Sequence, residues 1–145
     1  MRRVWADIIF SAERQHLLRL LAWSGLSIIL GTSVVVLLVA RRARSPLLTN
    51  FAIQTLVWGV VIGATAALSY RSLQMRDVGG AARLERLLWM RIGLDVGLMA
   101  VGATLGLTGR GTSRKLQLIG AGIGIVVQGA ALLLLDLQFA GMVSR

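Results

Sequence analysis

The chain has no cysteine, one proline, one histidine, one lysine and only six acidic residues. Without cysteine there are no disulfides and no thiolate metal sites, and redox compartment leaves no trace in the sequence. A single histidine, His16, excludes haem held by two histidines of one chain and leaves at most one axial ligand to a porphyrin or chlorin. It also excludes zinc motifs of the H-E-x-x-H type. No Ser-His-Asp set can be assembled, because His16 lies in an amphipathic lead-in. The one lysine, Lys115, sits in a basic turn, so no retinal-type Schiff base is available inside an apolar run. Gly120-Ala-Gly122-Ile-Gly124 lies within an apolar run and follows no strand, which marks it as helix packing rather than a phosphate loop. The expectation is a protein that is not an enzyme and holds neither metal nor cofactor.

Charge is sparse as well, at 15% of residues against 56% hydrophobic, with a mean hydropathy of +0.75. Four runs account for this: 20–40, 47–70, 87–109 and 118–139. Each reaches the roughly 20 residues that an α-helix needs to cross a hydrocarbon core of about 30 Å. A soluble bundle would need a polar face on every helix, and the first run offers only small hydroxyl residues. That run is also long and late for a signal peptide, and Val39-Ala40-Arg41-Arg42 has no small-x-small cleavage pattern. Upstream, Val4, Trp5, Ile8, Ile9 and Ala12 recur at helical spacing opposite Arg3, Asp7 and Arg14. Residues 1–19 are therefore expected as an amphipathic helix in the membrane interface, with an early start of the first span as the alternative. The predicted fold is all-α: an integral membrane four-helix bundle of two helical hairpins, residues 20–145, behind an interfacial N-terminal helix. Arg41-Arg42-Ala-Arg44-Ser-Pro46 and Arg110–Lys115 form tight basic turns, and Gly79-Gly80 should break the longer connection between hairpins.

The net charge is +10, almost all of it arginine. These arginines lie between the spans, which makes anionic lipid headgroups their partners rather than nucleic acid. The count of basic residues favours both termini in the cytoplasm, although the two short turns are the more densely charged. A bacterial inner membrane is the expected location.

Three charges fall inside apolar runs: Arg91, Asp95 and Asp136. Each costs about 2.5–3.5 kcal/mol at the centre of a spanning helix, so such groups face a partner or a cavity. In a four-span chain the third span begins and the fourth ends on one side, so these charges share a leaflet, with His16 and Arg19 entering there too. Asp95 shares its helix face with Gly102 and Gly106, and Asp136 shares its face with Gly129 and Gly122. Glycine stripes let helices approach closely, which predicts that spans 3 and 4 pack on each other with Arg91 between the carboxylates. An internal salt bridge and a proton, ion or headgroup site both fit that arrangement. A milder polar stripe runs through Asn50, Gln54, Trp58, Thr65 and Ser69, with Ser24, Ser27 and Gly31 on span 1 and Gln128 on span 4. Interhelical hydrogen bonds are expected from it. The hairpins also look like repeats: Arg19-Leu20-Leu21 with Gly25-Leu26-Ser27 parallels Arg86-Leu87-Leu88 with Gly93-Leu94-Asp95, and Trp58-Gly59 parallels Gln128-Gly129.

Through Trp58-Gly59, Gly93-Leu94-Asp95, Gln128-Gly129 and Asp136, over residues 17–140, the chain resembles a group of small bacterial four-span proteins known only as a domain of unknown function. The resemblance implies a four-helix fold and a shared role for Asp95, Gln128 and Asp136, and supplies no activity. The small multidrug-resistance transporters are a poorer match, since they carry a carboxylate in their first span and this chain has none there. The leading expectation is an accessory, assembly or stabilising subunit of a membrane complex, whose partners are lipids and other membrane subunits or a second copy. The alternatives are a small ion-coupled transporter or channel using Asp95 and Asp136, and a binder of lipid, quinone or pigment.

Overall fold

The computed structural model describes residues 2–74, 78–109 and 114–143, and their side chains except those of residues 2–5, 78 and 81. The expected faces of Arg3, Val4 and Trp5, and most of the Arg110–Lys115 turn, lie outside that set. The described residues form four helices: α1 (Arg2–Ala40), α2 (Pro46–Arg71), α3 (Val78–Thr108) and α4 (Lys115–Val143). All four are long and apolar enough to cross a membrane. Large apolar side chains point outward from each, among them Ile29, Leu68, Leu94 and Leu134. Polar burial inside and apolar exposure outside is the arrangement of a protein solvated by lipid, and the chain is a multi-pass membrane protein.

The turn between α1 and α2 follows from local chemistry. Arg42 takes a left-handed φ of 50°, a conformation in which glycine is the usual residue. The amide of Arg42 donates to the Val39 carbonyl and that of Ala43 to the Leu38 carbonyl, closing the last turn of α1. Ser45 then caps α2 by accepting from the Leu48 amide, and Pro46 starts the helix where its missing N–H costs nothing.

Two boundaries differ from expectation. Residues 2–19 are not a separate element; they run without a break into the first span, so α1 has 39 residues and measures about 58 Å at 1.5 Å per residue. The amphipathic period is real, but its inner face finds protein: Ile9, Ala12, Leu17 and Leu20 are buried, Ala12 against Leu88 and Phe139. The helix continues unbroken because its apolar stripe continues onto packed neighbours. The second difference is that Gly79 and Gly80 lie inside α3 rather than breaking the chain before it. They occupy its first turn, where the amides lack intrahelical partners anyway and glycine costs little.

Helix α4 lies at the centre, packed on α3, α2 and α1, while α1 and α2 pack along each other. Among the described residues, α3 packs extensively on α4 alone. Both hairpins close on glycine. A Cβ on Gly31 would stand 2.8 Å from the Ala52 carbonyl and 2.9 Å from the Leu56 amide. One on Gly102 would stand 2.7 Å from the Gly122 carbonyl and 2.9 Å from the Val126 amide. Gly59 backs onto Ile28, and Gly129 onto Met99, in the same manner. The contacts therefore repeat with a shift of 71 residues between α1 and α3 and 70 between α2 and α4. The Trp58-Gly59 and Gln128-Gly129 parallel agrees with this shift. The Gly25 and Gly93 parallel does not: both glycines face open space, and the packing register lies one turn away. In that register Ser24 corresponds to Asp95.

Candidate functional site: a buried charge cluster at one end of the bundle

Asp136 is the hub of the cluster. It projects from the α4 face that carries Gly129, Gly122 and the other residues buried against neighbouring helices, and it is 1% exposed. Its Oδ2 lies 3.5 Å from Arg91 Nε of α3, and its Oδ1 lies 3.1 Å from His16 Nε2 of α1. The imidazole of His16, 2% exposed, stacks on Phe139 with ring centroids 4.5 Å apart and planes 10° apart. That stacking holds the ring at a tilt, so the contact with Asp136 is close in distance but lacks the alignment of a hydrogen bond. Asp95, one turn beyond Arg91, is 5% exposed and lies within the fields of Asp136 and Arg91. Its Oδ2 has no hydrogen-bond partner, nor has Asp136 Oδ1 or either nitrogen of His16. Glu13, one turn before His16, is buried beside them.

Arg91, Asp95 and Asp136 lie at one level across the packed faces of α3 and α4, and the ion pair that Arg91 makes is with Asp136. Arg91 reaches Asp136 as an ion pair, with its side chain still 45% exposed toward the boundary. Gly102 and Gly122 meet backbone to backbone, Gly106 lies against Gly122, and Gly129 lies against the Asp95 carbonyl. Sequence reasoning brought His16 to the correct side but left it out of the cluster. Its signal was its position three residues from Glu13 and four from Leu20, on the inner face of a helix that continues. Two further ties close the same end: Arg19 Nη1 donates to Gln138 Oε1 at 2.9 Å, and Arg14 Nε to the Tyr70 hydroxyl at 3.3 Å.

A second polar group sits nearer the middle. Gln128, 1% exposed, accepts from Trp23 Nε1 at 2.8 Å and donates from Nε2 to Ser27 Oγ at 3.1 Å. Ser24 Oγ donates to the Gly59 carbonyl at 2.8 Å. These are interhelical bonds, as expected of Ser24, Ser27 and Gln128, and they join α1 to α4 and α2. Trp23 was missed, because an indole in an apolar run is indistinguishable from packing until its N–H finds an acceptor. Asn50 and Thr65 correct the expected stripe: Asn50 bonds the Pro46 carbonyl, and Thr65 the Val61 and Ile62 carbonyls, all on their own helix. Short side chains on a helix reach the preceding turn more easily than a neighbour. Trp58 packs as hydrocarbon against the core of Leu17, Leu20, Ile62 and Ala66, and Gln54 lies against Gly124. Replacing Gln128 with leucine is expected to cost about 1–2 kcal/mol, the range of interhelical hydrogen bonds in membranes. Unfolding by denaturing detergent checks this, with a shift of Trp23 fluorescence as its local signature.

The described residues contain no group of three or more His, Cys, Asp or Glu placed to hold a metal ion. The arrangement can do two things chemically. It can hold α3 and α4 in register through charge, with His16 of α1 packed against the same carboxylate, and it can offer unpaired buried acceptors to a group that carries donors. No curated protein and no solved structure matches the chain. A family profile does, across residues 19–137, which takes in all of the cluster except His16 and Glu13. By that match the chain belongs to the family of unknown function DUF6992.

Proposed function

We propose that the protein is a non-catalytic subunit of a membrane complex, joined to its partner through the outer face of α3. One observation carries this reading. Gly93, Gly97, Ala100 and Thr104 recur at four, three and four residues along α3, and all four are exposed. At 3.6 residues per turn they form one stripe, opposite the face that carries Asp95 and Gly102 toward α4. A Cβ on Gly93 or Gly97 would meet nothing within 4 Å. Between helices in a bilayer, where lipid is as apolar as leucine, close backbone approach over small residues is what favours association. The flanking Trp89 and Val101 are exposed too and would seat on the partner. The partner is another membrane subunit or a second copy. The basic residues beyond the helix ends support a bacterial inner membrane with cytoplasmic termini, where anionic lipid attracts them.

Gly97→Leu is expected to release the protein from its complex, seen in native gels of membranes dissolved in mild detergent, while leaving its own unfolding unchanged. Wild-type protein that runs only as a monomer from its native membrane would refute the reading.

A further inference from the structure

The internal repeat exposes an asymmetry. In the first hairpin α1 packs on its partner α2 and also on α4, where Trp23 and Ser27 bond Gln128. The second hairpin, in the same register, would set α3 against α2. Instead α3 keeps its extensive packing for α4, and a cleft is left toward α2. At the end of the bundle that carries the charge cluster this cleft deepens into a cavity of about 230 Å³. Its wall includes Glu13 and His16 from α1, Ser69 from α2 and Ser72 just past its end, and Leu87 and Arg91 from α3. That volume is below the roughly 300–1,000 Å³ of sites for drug-sized ligands, so it suits a small group rather than a macrocycle.

The wall has a definite chemistry. His16 turns Nε2 toward Asp136 at 3.1 Å without the alignment of a hydrogen bond, and both its ring nitrogens are buried with no hydrogen-bond partner. With the Asp136 carboxylate facing Nε2, a neutral imidazole keeps its proton on that side and presents Nδ1 as an acceptor. Arg91 uses Nε toward Asp136, and the rest of its guanidinium fork is suited to phosphate. Ser69 and Ser72 add hydroxyls. Leu87 and Met90, both exposed, connect the cavity with the lipid side. The group that satisfies this wall has a phosphate for Arg91, a hydrogen-bond donor for His16, and an apolar remainder for the cleft.

We propose that this cavity holds the headgroup of a glycerophospholipid that carries a donor beyond its phosphate, ethanolamine or glycerol, with its acyl chains lying between α2 and α3. The site does not depend on the docking face of α3, which is on the opposite side of that helix's packed surface, so either reading can fail without the other.

The test is lipid retention by the full chain in nanodiscs of phosphatidylcholine doped with phosphatidylethanolamine or phosphatidylglycerol, read by native mass spectrometry. Choline carries a phosphate but no donor. The expected result is retention of the ethanolamine or glycerol lipid over choline lipid by about tenfold, the scale of one hydrogen bond to a charged group. His16→Phe, which keeps the stack on Phe139, should abolish the preference. Leu87→Trp, which fills the cavity without touching the ion pair, should reduce retention of all three lipids and serves where His16→Phe does not fold. Equal retention of choline lipid by the wild type would overturn the proposal. So would an unchanged preference in His16→Phe, undiminished lipid retention in Leu87→Trp, or displacement of the bound lipid by soluble glycerol phosphate at equal concentration.

Discussion

Asp136→Leu is expected to cost about 3–5 kcal/mol, the range for breaking a buried ion pair from one side. The loss exceeds the value of the pair itself, because Arg91 is left without its carboxylate and His16 loses its one charged neighbour on α4. Arg91 is exposed enough to swing toward headgroups, and a long cationic side chain near a helix end does so readily. His16, 2% exposed, has no such exit. Asp136→Asn keeps the volume and two hydrogen-bonding atoms and should recover part of the loss. Asp95→Asn should cost less than either, since no hydrogen bond is lost at its Oδ2. Equilibrium unfolding of the reconstituted protein ranks the three variants, and a rank with Asp95→Asn at the top would contradict the role given to Asp136.

Gly122→Val should separate α3 from α4. Even a Cβ at Gly122 would lie 2.5 Å from the Gly102 carbonyl and 2.8 Å from the Gly106 amide. These are backbone atoms that cannot rotate aside, so the helices must part. Overpacking of a tight contact costs about 1–3 kcal/mol, and here it falls on the one extensive contact that α3 makes among the described residues. Because the chain has no cysteine, spin labels can be placed singly on each helix, at Val101 and Val127, which are exposed. Gly122→Val is expected to lengthen and broaden the distance between them. Gly97→Ala, on the open face of α3, should leave it unchanged.

The parts of this architecture that were legible in the sequence are those set by length, period and residue size. Four apolar runs of spanning length become four helices, and glycines at steps of seven mark the seam between α3 and α4. The charges of α3 and α4 meet because an even number of crossings returns both to one side. What stayed hidden depends on where a side chain finds its partner. Nothing in residues 2–19 taken alone says whether their inner face meets lipid headgroups or the ends of α3 and α4. The continuity of α1, and with it the place of His16, depends on that choice. Asn50 and Thr65 have the composition and spacing of an interhelical stripe, yet each closes on its own backbone. Ser24, equally short, bonds across because Gly59 brings a carbonyl within its reach. The repeat was visible in Gly59 and Gly129 but misread by one turn at Gly25 and Gly93, because glycines that face lipid and glycines that face a helix look alike in sequence.

The central claim is that one carboxylate, Asp136, holds α3 to the middle helix through its ion pair with Arg91. A double-mutant cycle in a bilayer tests it most directly, with Arg91→Met and Asp136→Leu alone and together. The expected result is strong coupling: the double variant regains most of the stability lost in Asp136→Leu, because no unpaired guanidinium remains and an apolar pair replaces the charged one. If the two losses simply add, Arg91 and Asp136 act independently, and the cluster is not the lock described here.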